Sequence, residues 1–408
     1  MFYCGIDIAK YKHEATVIDE SGAALLDSIS FANSKEGCEK LLALFERLSV
    51  TREEILVGME ATGHYWLSIY GYLLDQNFEV KVINPIQSEA FRKMYIRQTK
   101  NDRKDSFIIA QVMRFGQFSA TSLSEETIVA MRQLSRYRLA LVDSCGDCKR
   151  RVIALLDQVF PEYDSLFSDT FGVTSKEILT KYPTPEDLLS VSTRKLTTLL
   201  EKTSRGRCGR GKAEQLKAAA AESFGVSFAK DAFAFQIRQL IKQLEFLESQ
   251  IAELEEQISI LLKRTGSYIT TIPGIGDTLG AIILSEIGDI HRFDAPGKLV
   301  AFAGLDVKVT QSGEFTGTRQ KISKRGSPYL RRAIWLAASR AAFCDPALST
   351  YYQGLRARGK HHLTAIGAVS RKLCNLIFVI LTENRPCQPL PPCTNAVGKV
   401  RQISQGEL

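Results

Sequence analysis

The stretch Phe2-Tyr3-Cys4-Gly5-Ile6-Asp7-Ile8-Ala9 decides the fold. It alternates around Gly5-Ile6-Asp7-Ile8 and predicts a strand. Residues 12–20 and 24–33 predict two more, joined by turns at Tyr11-Lys12 and Ser21-Gly22. A helix follows from Ser34 through Leu41, Leu42, Leu44 and Phe45. Residues 54–61 read as a buried strand, His64 to Gln76 as a helix with an aromatic-rich apolar face, and 79–84 as a fifth strand stopped by Pro85. With a further helix from Arg103 to Gln117, the order is β-β-β-α-β-α-β-α. That is the order of an RNase H-like domain, a mixed sheet covered by helices.

Within such a sheet Asp7 lies in the first strand and Glu60 at the end of the fourth. A charge among apolar strand neighbours is costly unless it is paired or metal-bound. The segment Asn101-Asp102-Arg103-Lys104-Asp105 then opens a helix, and positions i and i+3 share a helix face. Lys100, Arg103 and Lys104 surround the two acids with positive charge. Taken singly, each acid has a plain reading. Asp7 and Glu60 are strand-end surface acids, and Asn or Asp at a helix start caps free amides. The sharper expectation is that Asp7, Glu60, Asp102 and Asp105 converge. Four ionised carboxylates cannot crowd together without a cation. One or two Mg²⁺ (or Mn²⁺) ions would relieve the repulsion and polarise a phosphodiester.

The chain has 408 residues, 45% hydrophobic and 24% charged, which predicts a globular protein of two or three domains. A net charge of +8 and a pI near 8.9 favour a polyanionic partner. No apolar run reaches the length of a membrane span, and the N-terminus lacks a signal-peptide layout, so the expected setting is cytoplasmic and nucleoid-associated. Nine scattered cysteines argue against a disulfide framework.

Two long helices are predicted, from Glu125 to about Phe160 and from about Phe233 to Lys263. Met131, Leu134, Arg138, Leu141, Cys145, Cys148, Val152, Leu155 and Val159 are spaced three and four apart. So are Ile237, Leu240, Leu244, Leu247, Ile251, Leu254, Ile258 and Leu261. This is a coiled-coil pattern, and antiparallel pairing of the two helices is expected. The same pattern makes Cys145 and Cys148 seam residues instead of zinc ligands, since no second Cys pair stands at zinc spacing.

Between the helices, residues 163–230 form an insertion carrying the basic loop Arg205-Gly206-Arg207-Cys208-Gly209-Arg210-Gly211-Lys212. It imitates a phosphate-binding loop, but Ala213 follows the lysine and a helix precedes the loop, so that motif fails its structural test. Contact of Arg205, Arg207 and Arg210 with nucleic-acid backbone is expected; the alternative is a solvated loop. Ile272-Pro273-Gly274-Ile275-Gly276 before a helix over 277–287 is a helix-hairpin-helix signature, in which Gly274 and Gly276 expose amides to a phosphate. Ser312 sits in a Ser-Gly loop ahead of Lys321, Lys324, Arg325, Arg331 and Arg332. Ser327-Pro328 is a good start for a helix to Phe343. The last helix, Leu363 to Leu381, is apolar on one face, and the tail after Pro386 reads as disordered.

These residues together resemble the transposases of insertion-sequence family 110, the DEDD group that includes the Piv-type invertases. The resemblance runs through Gly5-Ile6-Asp7-Ile8-Ala9-Lys10, Glu60-Ala61-Thr62-Gly63, Val82-Ile83-Asn84-Pro85, Asp102 and Asp105, Pro273 to Gly276, Phe302 to Leu305, Ser312-Gly313, and Gly326 with Leu330-Arg331. It implies a RuvC-like DEDD nuclease domain at 1–120, an antiparallel coiled-coil domain at 121–265 and a mostly helical transposase domain at 266–385, with a tail at 386–408. It further implies that Asp7, Glu60, Asp102 and Asp105 are metal ligands and that Ser312 is the nucleophile. DNA partners (donor and target), a non-coding guide RNA, and assembly as a homodimer or homotetramer with composite sites are also implied. The competing readings are a RuvC-like resolvase that hydrolyses DNA with water and needs no serine, and a non-enzymatic nucleic-acid scaffold.

Overall fold

The computed structural model describes residues 1–48, 50–60, 63–83, 85–92, 102–116, 120–121, 126–307, 311–312, 315–316 and 321–388. It divides into two compact units, Met1–Leu123 and Ser124–Leu408. The expected tail lies, from residue 389 on, outside the described residues.

The first unit runs β1 (Phe2–Asp7), β2 (Lys12–Ile18), β3 (Ala24–Ala32), α1 (Lys35–Arg47), β4 (Ile55–Glu60), α2 (Trp66–Asp75), β5 (Glu79–Ile83), α3 (Pro85–Arg92), α4 (Asp102–Phe115) and β6 (Ala120–Thr121). Among the described residues the strands form one sheet in the order β3-β2-β1-β4-β5-β6. β1 pairs antiparallel with β2 and parallel with β4, which pairs parallel with β5. This is the mixed RNase H-like arrangement; α3 and β6 add to what the sequence predicts. Ser34 caps α1 by accepting from the Gly37 N–H at 3.2 Å.

The period of two assigns the faces. Cys4, Ile6, Val57, Met59, Val80 and Val82 pack with Leu41 and Phe45 of α1 and Ile69 and Leu73 of α2. Tyr3 and Leu56 lie on the opposite face, with Ile108, Ile109, Val112 and Met113 of α4. Gly5 and Gly58 share that second face. A Cβ on Gly5 would stand 2.1 Å from the Ser106 carbonyl oxygen, and one on Gly58 would stand 2.5 Å from Met113 Cγ. Missing side chains therefore let α4 lie directly on the two central strands. The buried hydroxyls of Thr16 and Ser106, 2.8 Å apart, tie it there.

The second unit contains α5 (Glu126–Val159), α6 (Val173–Lys181), α7 (Pro185–Ser190), α8 (Thr193–Ser204), α9 (Arg210–Ala221), α10 (Lys230–Arg264), α11 (Asp277–Ile287), α12 (Pro296–Phe302), the hairpin β7 (Gln311–Ser312) and β8 (Phe315–Thr316), α13 (Pro328–Cys344), α14 (Pro346–Ala357) and α15 (His362–Glu383). Helices α5 and α10 run antiparallel. Leu141, Cys145 and Cys148 meet Leu244 and Leu247, and Val152 meets Ile237 and Ile241. The predicted α5 spacing drifts: Ser135, Leu139 and Leu156 are buried, while Arg138 is half-buried and donates from Nε to Glu255 at 2.8 Å. A straight helix of 3.6 residues per turn slips against a 3.5 repeat.

The insertion is a folded lobe. Tyr163, Leu166, Ile178, Leu188, Leu196 and Leu216 close a core on Val152, Leu156 and Ile241. Helix α15 corrects another expectation, because by length and composition it equals a membrane span. Its Ile366, Val369, Leu373 and Ile377 are buried with Leu330, Ala337 and Ala341 of α13, so the apolar run makes core.

Candidate active site

The acids of the first unit are placed by strand register. Ile6 pairs with Met59 in the parallel β1–β4 ladder, so Asp7 and Glu60 end neighbouring strands at the same level. Alternation from Gly5 and Gly58 sets both on the α4 face. Asp105, in the first turn of α4, is buried on that face one residue before Ser106. Three of the four expected ligands therefore share one face at the strands' C-terminal ends. Asp102 is the first residue of α4, and its side chain lies outside the description.

Helix α3 supplies partners that the sequence reading missed. Ser88 Oγ donates to Glu60 Oε2 at 2.7 Å. Arg92 donates to Asp105 Oδ1 at 2.8 Å and to Glu89 Oε2 at 2.8 Å. The available signals were Pro85 as a helix opener and the Glu89-Arg92 spacing. Among the described residues no three His, Cys, Asp or Glu side chains stand close enough to hold a metal ion. The donor chemistry still fits a hard dication, because every candidate ligand is a carboxylate. The guanidinium of Arg92 meets one of those carboxylates in this arrangement.

In the second unit Ser312 ends β7 and pairs with Phe315 across residues 313–314. Its side chain lies outside the description. The hairpin's base is held by backbone bonds. Val307 bridges to Ile322, the Ser323 N–H donates to Asp306 O at 2.8 Å, and the Lys324 N–H donates to Gly304 O at 3.1 Å. A Cβ on Gly326 would meet Phe302 O at 1.6 Å, so the two arms touch backbone to backbone. Lys321, Lys324 and Arg325 are exposed on the return arm. Arg331 donates to Ala303 O at 3.4 Å, and Arg332 grips Asp143 with two bonds of 2.7 and 2.9 Å. Those bonds hold the Asp143 carboxyl below the usual carboxylate range.

The base of the hairpin is tied to α5 through Glu286. Its buried carboxylate accepts from Arg136 at 2.6 and 3.0 Å and from Ser327 Oγ, the N-cap of α13, at 2.7 Å. Gly274 (φ +89°) turns the chain against α13, where a Cβ would meet Ala337 O at 2.7 Å. Gly276 is the exposed N-cap of α11. A short 3₁₀ turn, Tyr268–Thr271, precedes them. Arg205 and Arg207 are exposed between α8 and α9, and Arg210 pairs with Glu214 at 2.7 Å.

Residues 4–161 match a family model of DEDD transposases of IS110 type, and residues 266–353 match the transposase IS116/IS110/IS902 family. Together the two matches cover more than half of the chain. The chain belongs to the IS110 transposase family. That family consists of enzymes that cut and rejoin DNA. Among its relatives is an insertion element IS110 protein of Streptomyces coelicolor, 24% identical over 93% of this chain and 94% of the relative. Another is the pilin gene-inverting protein of Moraxella bovis, 24% identical over 94% and 97%. A solved structure of RuvC from T. thermophilus, in complex with a Holliday junction substrate, aligns with 30% of this chain and 99% of its own length, at 14% identity and a TM-score of 0.23. In this IS110-family chain the first match contains Asp7, Glu60, Asp102 and Asp105, and the second contains Ser312 and the basic return arm.

Proposed function

We propose that this chain is a site-specific recombinase of an insertion element that exchanges DNA strands through a phosphoserine at Ser312. Asp7, Glu60, Asp102 and Asp105 are its metal ligands. One observation carries the reading: Asp7 and Glu60 end adjacent parallel strands on the face that α4 covers, and Asp105 is buried in the first turn of α4. A bound Mg²⁺ or Mn²⁺ would polarise the scissile phosphate and stabilise the leaving oxygen.

The serine step conserves the bond. Ser312 Oγ forms a bond to phosphorus, the strand's P–O bond breaks, and the departing sugar oxygen takes up a proton. Attack by a new strand end reverses the step, so no external energy source is needed. Lys321, Lys324 and Arg325 hold phosphates near the hairpin, with Arg205, Arg207 and the Gly276 amide as further contacts. Arg331 and Arg332 brace the hairpin base. By family resemblance, a non-coding guide RNA selects donor and target DNA, helix-hairpin-helix and coiled-coil elements support binding and assembly, and the chain works as a homodimer or homotetramer.

The test is to trap the reaction on a nicked substrate, digest, and search by mass spectrometry for a nucleotide on the Ser312 peptide. The expected result is an adduct there and loss of cleavage in Ser312→Ala and Asp7→Asn. Full cleavage by Ser312→Ala would instead make the protein a hydrolytic resolvase.

A further inference from the structure

The segment from Pro346 to Thr382 contains five Lys or Arg and two His residues but no Asp or Glu. Most of that charge falls in one place, the turn Arg356-Ala357-Arg358-Gly359-Lys360-His361-His362 between α14 and α15. Residues 356 to 362 are all exposed. Among the described residues, Arg356, Arg358 and Lys360 form no ion pair. The turn is nonetheless held in shape. Gly359 adopts φ +74°, the Lys360 N–H donates to Leu355 O at 3.1 Å, and Arg356 Nη1 donates to Lys360 O at 2.6 Å. His361 caps α15, its Nδ1 accepting from the Leu363 N–H at 3.3 Å, and Lys360 stands one residue before that cap, where the helix dipole disfavours a cation unless an anion is near.

An aromatic platform adjoins this turn. The Phe343 ring is 63% exposed although Phe is an apolar residue. It packs edge-on to Tyr352 at 5.3 Å between centroids, and the Tyr352 hydroxyl bonds to His362 Nδ1 at 2.8 Å. Tyr352 thus links Phe343 to His362, at the end of the basic turn. Exposed aromatic rings next to free cations are what an unpaired nucleotide needs, a face for the base and charge for the phosphate.

We propose that Phe343 and the turn at Arg356, Arg358 and Lys360 form a binding surface for an unpaired, single-stranded segment of nucleic acid. The base stacks on Phe343 and the neighbouring phosphates lie along the turn. Paired bases in a duplex are not free to stack, so the surface distinguishes single strands from double strands. The inference rests on the nucleic-acid reading above, yet its readout is binding and not cleavage, so the two can fail separately.

The experiment uses the full chain in EDTA with labelled single-stranded DNA, single-stranded RNA and duplex DNA, read by fluorescence anisotropy across a salt series. Phe343→Ala is expected to weaken single-strand binding about tenfold and to leave duplex binding unchanged. R356Q/R358Q/K360Q is expected to flatten the single-strand salt slope by about two units. A larger loss on RNA than on DNA, or the reverse, identifies which strand the surface serves. Equal effects of Phe343→Ala on single and double strands, or an unaltered slope in the triple variant, overturn the proposal. Failure of the wild-type chain to bind any of the three overturns it together with the recombinase reading. Both variants change exposed side chains, and an unaltered melting curve confirms that they fold.

Discussion

Arg92 Nη2 donates to Asp105 Oδ1 at 2.8 Å, joining α3 to the α4 acid that shares a sheet face with Asp7 and Glu60. Both side chains are largely buried, 17% and 10% exposed. A positive charge therefore already balances one carboxylate of the candidate site. A metal ion would compete for it or join it.

The first prediction follows from that pair. Arg92→Met keeps much of the volume but removes a charged partner of Asp105, and breaking a buried pair costs about 3–5 kcal/mol. In EDTA the first unit is expected to melt at lower temperature than wild type. Added Mg²⁺ should raise the variant more than the wild type, because the ion replaces the lost charge. Trp66 fluorescence in a Trp335→Phe background reports this unit alone, since the chain has two tryptophans. Equal Mg²⁺ shifts in both proteins would disconnect Asp105 from metal binding.

Two glycines provide a graded test of how α4 is seated. Gly5→Ala puts a methyl 2.1 Å from the Ser106 carbonyl oxygen and 2.4 Å from the Ala110 nitrogen, both backbone atoms. Gly58→Ala meets the Met113 side chain, which can move. Gly58→Ala is expected to cost about 1–3 kcal/mol, and Gly5→Ala more, with loss of DNA cleavage. Denaturant titration of the first unit measures the order. Equal costs would mean that α4 does not rest on β1 as described.

Acidification tests His13. It is fully buried, its Nδ1 accepts from the Ala9 N–H at 3.3 Å, and burial pushes its pKa below the ordinary value. The unfolded chain therefore takes up a proton at about pH 6.5, before the folded chain does. Stability from this group is complete above about pH 6.5 and falls as the pH drops through it. His13→Phe should lose less stability than wild type between about pH 7.5 and about pH 5.5. A parallel decline in the two proteins would assign the acid sensitivity to other groups.

The Glu286 hub offers a double variant. Arg136→Met removes the two-pronged partner of a buried carboxylate that keeps its Ser327 donor; with Arg136 itself 43% exposed, the second unit should lose about 1–3 kcal/mol. Adding Glu286→Leu removes that charge and should recover most of that loss. Trp335 fluorescence in a Trp66→Phe background follows the unit. No recovery in the double variant would show that the cost lies in lost packing against Tyr329, over whose ring Arg136 sits at 4.7 Å.

Much of the fold is legible in the chain because its causes are local. Alternation sets the five main strands, and Ser327-Pro328 starts α13 where caps and fixed φ predict. The helix over Asp277–Ile287 also has the predicted bounds. The shared face of Asp7 and Glu60 follows from period two once β1 and β4 are paired.

Tertiary structure decided the rest, for reasons that no local pattern contains. Arg332 meets Asp143 across 189 residues, which turns a residue of a basic cluster into a brace. Gly5 and Gly58 are turn-like residues by type, yet they serve a helix that arrives about fifty to a hundred residues later in the chain. The apolar run of α15 would suit a membrane, and only its burial against α13 makes it core. Helix and strand periods depend on neighbours three or four residues apart, whereas charge pairing, close packing and burial depend on where the whole chain returns.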